Sequence, residues 1–180
     1  MANHLYDALF ERYEGSPSDF LILPDGSRIS HGEFNAMAAR HAGALAEAGL
    51  EPGDRVALQL EKSPDMLAVI AGAIRAGMVF LPLNTAYTPA EVSYFVADAG
   101  AKLLLCDGRS ESALAQVARS AGARLATLNA DGTGSFAAAT RGAAPRAGAA
   151  RGAGDLAALL DNNGTTGRWE GAIMCPANHL

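Results

Sequence analysis

Aromatic residues, cysteines and long apolar runs are all scarce in this chain of 180 residues. Phe, Trp and Tyr make up only 6% of it, so Ala, Leu and Val must fill most of any core. Hydrophobic residues nevertheless reach 49%, which is typical of a globular protein and excludes a disordered chain. No apolar stretch approaches the roughly 20 residues that a bilayer-spanning helix needs.

Two cysteines, Cys106 and Cys175, are too few for a disulfide framework and favour a reducing compartment. The formal net charge of −5, with no extended basic face, argues against nucleic acid as a partner. The first residues lack the basic start and apolar run of a signal peptide. We therefore expect a cytoplasmic protein without nucleic-acid or membrane partners.

The four histidines share no spacing typical of metal ligands, so no metal site is predicted. We expect surface or helix-capping roles for all of them: His4, His31, His41 and His179.

Strand and helix patterns alternate from residue 55 onward. Apolar runs predict strands at 55–60, 78–83, 102–106, 124–128 and 155–160. Helices are expected between the first four, and capping boxes pair Ser30 with Glu33 and Thr88 with Glu91. This alternation predicts an α/β fold with a mainly parallel sheet flanked by helices.

Residues 141–154 differ from the rest because they contain Ala, Gly, Arg and one Pro but no large apolar side chain. We predict that they form a linker or exposed loop. It would separate an α/β portion at residues 1–140 from a final portion at 155–180, which holds a strand, a loop and the start of the next element.

The chemical signal is strongest directly after the last predicted strand, where the chain runs Asn163-Gly164-Thr165-Thr166-Gly167-Arg168. Glycines expose backbone N–H groups and the adjacent hydroxyls add donors, which suits a polyphosphate. The segment is neither a Walker A loop nor a dinucleotide-binding fingerprint. From these residues alone, an ordinary turn is the other interpretation.

Together with the strand before it and Gly-Ala-Ile-Met after it, this segment resembles the phosphate-binding signature of the adenylate-forming (AMP-binding) superfamily. That superfamily includes acyl-CoA synthetases, luciferases and peptide-synthetase adenylation domains. Blocks at 28–34, 49–58 and 74–84 are similar to the family in order and spacing. Residues 59–63 and 83–88 look most like malonyl-CoA synthetases.

The resemblance implies an incomplete N-terminal domain of the adenylate-forming fold. It implies an ATP-dependent acid–CoA ligase of fatty-acid metabolism that converts malonate to an acyl-adenylate and then to malonyl-CoA. ATP, Mg²⁺ and coenzyme A are the implied cofactors, and a small carboxylic acid is the substrate. The family's catalytic lysine would lie beyond residue 180, so the chain alone is expected to be inactive.

Site residues follow from the same resemblance. Asn163, Gly164, Thr165, Thr166, Gly167 and Arg168 are expected to hold the phosphates of ATP. Lys62 and Tyr87 follow predicted strands, and we predict that they face a ligand cleft.

Departures from the family pattern are concentrated in residues 161–176. Asp161-Asn162-Asn163 stands where the family has Tyr-Thr-Ser, and Trp169-Glu170 stands where it has Ser-Lys. Replacing the lysine by Glu170 puts an anion where a cation would attract the phosphates. A degenerate, non-catalytic nucleotide-binding module of the same fold is therefore an alternative, as is a damaged gene or an error at the sequence end. A third alternative is an unrelated doubly wound domain.

Overall fold

The computed structural model describes residues 3–162 and 170–175, and for 161–162 and 170–173 it describes the backbone only. The helices are α1 His4–Leu9, α2 His31–Glu47, α3 Pro64–Arg75, α4 Pro89–Ala99, α5 Glu111–Ser120 and α6 Ser135–Gly142. The strands are β1 Asp19–Ile22, β2 Arg28–Ser30, β3 Arg55–Gln59, β4 Val79–Pro82, β5 Leu103–Cys106, β6 Arg124–Thr127, β7 Ala158–Asn162 and β8 Glu170–Met174. No helix in the described ranges is long and apolar enough to cross a membrane.

Six strands form one sheet in the order β6-β5-β3-β4-β7-β8, in which only β8 runs antiparallel to its neighbour. The antiparallel pair β1–β2 forms a separate hairpin at the N-terminal side of α2. The predicted α/β class with a mainly parallel sheet is confirmed.

Both faces of the sheet are covered, as the nearly continuous apolar strands require. Along β5, Leu103 and Leu105 belong to the core under α2, α3 and α6, whereas Leu104 and Cys106 belong to the core under α4 and α5. Since side chains alternate along a strand, one apolar run supplies two cores.

Capping boxes start α2 and α4 as predicted. Ser30 and Thr88 each accept a hydrogen bond from the backbone N–H three residues on, and the glutamates at those positions close both capping boxes. Gly100 ends α4 with a φ of 58°, a left-handed conformation that glycine adopts without strain.

Two elements were missed by the sequence interpretation. Helix α6 lies in a stretch that periodicity left unassigned, and its buried side chains are Phe136, Ala137 and Thr140. Strand β8 was not predicted either. In addition, β7 starts at Ala158 rather than at residue 155, because Asp155 closes a turn by accepting a hydrogen bond from the N–H of Gly152.

After α6 the chain returns along the outer surface of α2 and α3. The N–H of Arg146 donates to the carbonyl of Ala39, and the N–H of Ala149 donates to the carbonyl of Arg75. A Cβ on Gly43 would collide with the carbonyl oxygen of Ala144, so small residues are needed where backbone meets helix. The division at residues 140 and 154 stays a prediction.

Candidate functional site at the carboxyl edge of the sheet

Five parallel strands place their carboxyl ends along one edge of the sheet. The chain leaves β3 for α3 on one face and leaves the neighbouring β4 for α4 on the other face. Such divergence opens a crevice at the strand ends, which is where ligands bind in open α/β sheets. The loops after β3 and β4 and the carboxyl end of β7 therefore bound the candidate site.

The predicted phosphate-binding residues Asn163, Gly164, Thr165, Thr166, Gly167 and Arg168 lie outside the described residues. Their flanking strands are described, and the last pair of the β7–β8 ladder joins Asn162 to Glu170. The segment thus begins at the carboxyl end of β7, beside β4. Glu170 is placed by its backbone as the first residue of β8, so its role toward phosphate stays a prediction.

Tyr87, one of the two predicted cleft residues, lies in the loop after β4 and is half-buried. Its ring stacks on that of Phe95 from α4 with the ring centroids 5.3 Å apart. The side-chain amide of Gln59 donates to the carbonyls of Asn84, at 3.1 Å, and of Tyr87, at 3.0 Å. This loop is therefore held to the end of β3.

Sequence reasoning did not single out Gln59 as a functional residue. It is 5% exposed at the last position of β3. A polar residue directly after the apolar run Val56–Leu58 is the signal that could have identified it, because a buried amide needs partners.

Lys62, the other predicted cleft residue, is exposed in the loop between β3 and α3. It directly precedes Ser63, whose hydroxyl caps α3 by accepting from the N–H of Met66. Among the described residues Lys62 has no hydrogen-bond or ion-pair partner. Its ammonium group is available to an anion at this edge.

The neighbouring charges at the ends of β3 and β5 pair with one another. Arg109 contacts Asp107 at 2.9 Å and Glu61 at 3.5 Å. Hydrogen bonds from the side chain and the backbone of Arg109 lower the pKa of Asp107. Burial raises the pKa of the Cys106 thiol to about 12, so this cysteine is not a nucleophile.

The surface or capping role expected for His41 is wrong. His41 is 1% exposed in the middle of α2, with Nε2 3.1 Å from Asp65 Oδ1 and Nδ1 3.3 Å from Thr140 Oγ1. Burial occurs because α3 and α6 pack over this turn of α2, and α6 was absent from the predicted elements. By contrast, His31 is the first residue of α2 and stacks on Tyr13.

Comparison with solved structures shows the same fold in characterised proteins. The apo crystal structure of MatB from Rhodopseudomonas palustris has a TM-score of 0.93 and 41% identity, covering 99% of this chain and 36% of that chain. Its ATP-bound crystal structure has a TM-score of 0.93 and 42% identity with the same coverage. A benzoate CoA ligase from Burkholderia xenovorans LB400 has a TM-score of 0.84 and 27% identity, covering 99% of this chain and 35% of that one.

Comparison with curated sequences points the same way. Surfactin synthase subunit 2 from Bacillus subtilis (strain 168) is 33% identical over 103 residues, which are 57% of this chain and 3% of that protein. The chain thus spans about a third of the MatB structures and a far smaller share of the synthase. The family model described as AMP-binding enzyme matches residues 9–178. Because that match takes in nearly the whole chain and the fold agrees, the chain belongs to the adenylate-forming, AMP-binding enzyme family.

Proposed function

We propose that this chain provides the phosphate-binding part of an ATP-dependent acid–CoA ligase. The observation that supports the proposal is the β7–β8 pairing. Asn162 and Glu170, the described residues on either side of segment 163–169, pair at the end of β7, and the loops with Lys62 and Tyr87 follow the neighbouring parallel strands. The likeness to a MatB structure determined with ATP bound supports ATP as the nucleotide. Lys62 would add a cation, and Tyr87 would form part of the cleft wall.

In the proposed reaction, a carboxylate oxygen of the acid attacks the α-phosphorus of ATP. The bond between the α-phosphorus and the oxygen that bridges it to the β-phosphate breaks, and pyrophosphate leaves. The thiolate of coenzyme A then attacks the acyl carbon and displaces AMP. Backbone N–H groups at Gly164 and Gly167, with the hydroxyls of Thr165 and Thr166, would hold the β- and γ-phosphates. Asn163 and Arg168 would support them, and Mg²⁺ would arrive with ATP, since it is commonly bound through substrate phosphates.

Malonate is the acid that we propose, on the resemblance of residues 59–63 and 83–88 to malonyl-CoA synthetases. The likeness to a benzoate CoA ligase supports coenzyme A as the acceptor more than it supports any one acid. A comparison of acyl-CoA formation from malonate, acetate and benzoate tests the choice. A preference for another acid would contradict malonate as the substrate but would not contradict the ligase reaction.

Glu170 favours the second candidate function, a nucleotide-binding module that has lost catalysis. A carboxylate facing the triphosphate would oppose binding, by about 1 kcal/mol in water and about 4 kcal/mol at a dielectric near 20 for charges 4 Å apart. A module of this kind would bind ATP weakly and form no acyl-CoA.

The test uses residues 1–180 fused to the C-terminal portion of Rhodopseudomonas palustris MatB. Glu170→Lys should tighten ATP binding by about 2–4 kcal/mol, because a repulsion is exchanged for an attraction. Asn162→Thr with Asn163→Ser should add less, since neutral hydrogen bonds contribute about 1 kcal/mol each. The measurement is calorimetry at fixed Mg²⁺ and two salt concentrations.

Glu47→Lys is the matched control, because it changes the net charge equally at an exposed position in the last turn of α2, near the opposite edge of the sheet. If Glu170→Lys and Glu47→Lys have the same effect at low salt, segment 163–169 does not bind the phosphates. Acyl-CoA formation by the fusion separates a ligase from a module that only binds ATP.

A further inference from the structure

A cavity of about 310 Å³ lies between α2, α3, α6 and the turn that precedes α6. None of its lining residues belongs to the carboxyl-edge site: they are Met37, Arg40, His41, Asp65, Gly132, Ala137, Thr140 and Arg141. Its volume is at the lower end of the range of roughly 300–1,000 Å³ typical of small-molecule sites. It can therefore hold a small organic molecule.

Cations dominate the charges that line this cavity. Arg40 and Arg141 are both exposed, and Arg40 has no hydrogen-bond or ion-pair partner in the described part of the chain. Arg141 donates from Nη1 to the carbonyl of Gly132 at 3.1 Å, which leaves its other N–H groups for a ligand. Two guanidinium groups thus outnumber the single carboxylate of Asp65.

The floor of the cavity is a buried hydrogen-bond network that joins three helices. Thr140 Oγ1 lies 3.0 Å from the carbonyl of Phe136 and 3.3 Å from His41 Nδ1. On the other side of the ring, His41 Nε2 lies 3.1 Å from Asp65 Oδ1, so the imidazole contacts α3 as well as α6.

These contacts fix the cavity before any ligand arrives. The buried imidazole is held at both nitrogens, so α2, α3 and α6 keep their spacing around the opening. Met37 and Ala137 add an apolar wall beside the polar floor. A preformed cavity with cations at its mouth and an apolar wall suits a small organic anion.

We propose that the Arg40–Arg141 cavity binds a small organic oxyanion, with its carboxylate or phosphate group held between the two guanidinium groups. Guanidinium donates paired N–H groups to either kind of oxyanion. A carboxylic acid and a phosphate ester could both bind in this way, and the experiment distinguishes between them. The proposal does not depend on the carboxyl-edge site or on the ligase reaction.

The experiment titrates the 180-residue chain with phenyl phosphate, benzoate and neutral phenol at an ionic strength matched with KCl. Backbone amide NMR should show saturable shifts at Arg40, Thr140 and Arg141 with at least one of the two anions and none with phenol. Binding of one anion alone identifies the preferred group. Arg40→Gln and Arg141→Gln should each raise the dissociation constant at least about tenfold, because each removes a charge-assisted contact.

Arg119→Gln is the matched control, since Arg119 is exposed on α5 over the other face of the sheet and its guanidinium hydrogen-bonds only Gln116 within the described chain. It should leave binding unchanged. An unchanged thermal unfolding midpoint for Arg40→Gln confirms that the fold is intact. The proposal is overturned if neither anion gives saturable shifts, if phenol binds equally well, or if binding survives both cavity substitutions.

Discussion

Gln59 organises the carboxyl edge through a single buried amide. Its Nε2 donates to two carbonyls of the loop after β4, and that loop carries Tyr87. The Asn84 carbonyl also accepts from the N–H of Tyr87, so the loop is closed on itself where Gln59 holds it. One side chain therefore ties the loop after β4 to the end of β3 at two points.

Replacing Gln59 by Leu should lower the free energy of unfolding by about 1–3 kcal/mol, because the two hydrogen bonds that Gln59 donates to the carbonyls of Asn84 and Tyr87 are lost. Urea unfolding measures the change. Gln116→Leu, at an exposed position of α5, should shift the midpoint far less. Equal effects of the two substitutions would show that the Gln59 hydrogen bonds do not stabilise the loop.

At the scale of elements, α2 and α3 approach so closely that only glycine fits at position 72. A Cβ there would lie 2.8 Å from the carbonyl oxygen of Ala38 and 2.9 Å from the backbone nitrogen of Ala42. Both contacts are to backbone, so neither helix can yield by rotating a side chain. The close approach also brings Asp65 to His41.

Gly72→Ala should therefore destabilise the protein, although alanine favours a helix over glycine by about 1 kcal/mol. Overpacking of this kind costs typically about 1–3 kcal/mol and should exceed that gain. Gly142→Ala provides the comparison, because a Cβ at the end of α6 meets nothing within 4 Å. Denaturant unfolding should show that Gly72→Ala lowers the free energy of unfolding and that Gly142→Ala raises it. A stabilised Gly72→Ala would contradict the packing argument.

At the scale of the whole molecule, the loss of folding stability at low pH depends on carboxylates at helix starts and turns. Hydrogen bonds from Ser30 lower the pKa of Glu33, and those from Thr88 lower the pKa of Glu91. A carboxyl whose pKa is lower in the folded state stabilises the fold above its unfolded pKa. That contribution is lost as the pH falls through the folded pKa.

The double variant Glu33→Gln with Glu91→Gln should weaken this dependence. Glutamine can still reach back to the cap in both boxes, so the helices keep their starts while two titrating groups disappear. Urea midpoints of the wild type should fall as the pH drops below about 4.3, and those of the variant should fall less steeply. Glu47→Gln removes an exposed carboxylate outside any capping box, and it should not change how steeply the urea midpoint falls with pH. Parallel slopes for the wild type and the double variant would contradict the prediction.

Much of the fold could be predicted because its signals lie in consecutive residues. The two capping boxes, the glycine that ends α4 and the apolar strands β3 to β6 all depend on neighbours within a few positions. The family followed from short ordered blocks for the same reason. The candidate site was predicted as residue types after strands, and the parallel sheet brings the ends of those strands to one edge.

The amino-acid sequence by itself determined where these elements begin and end, the α/β class and the family, since local backbone preferences and short motifs specify them. Only the tertiary structure decided the strand order, the burial of His41 and the cavity beneath Arg40. His41 meets Thr140 across 99 residues of chain, and Asn3 donates to the carbonyl of Ala149 across 146. Burial depends on which distant elements pack together, and no local pattern around His41 carries that information.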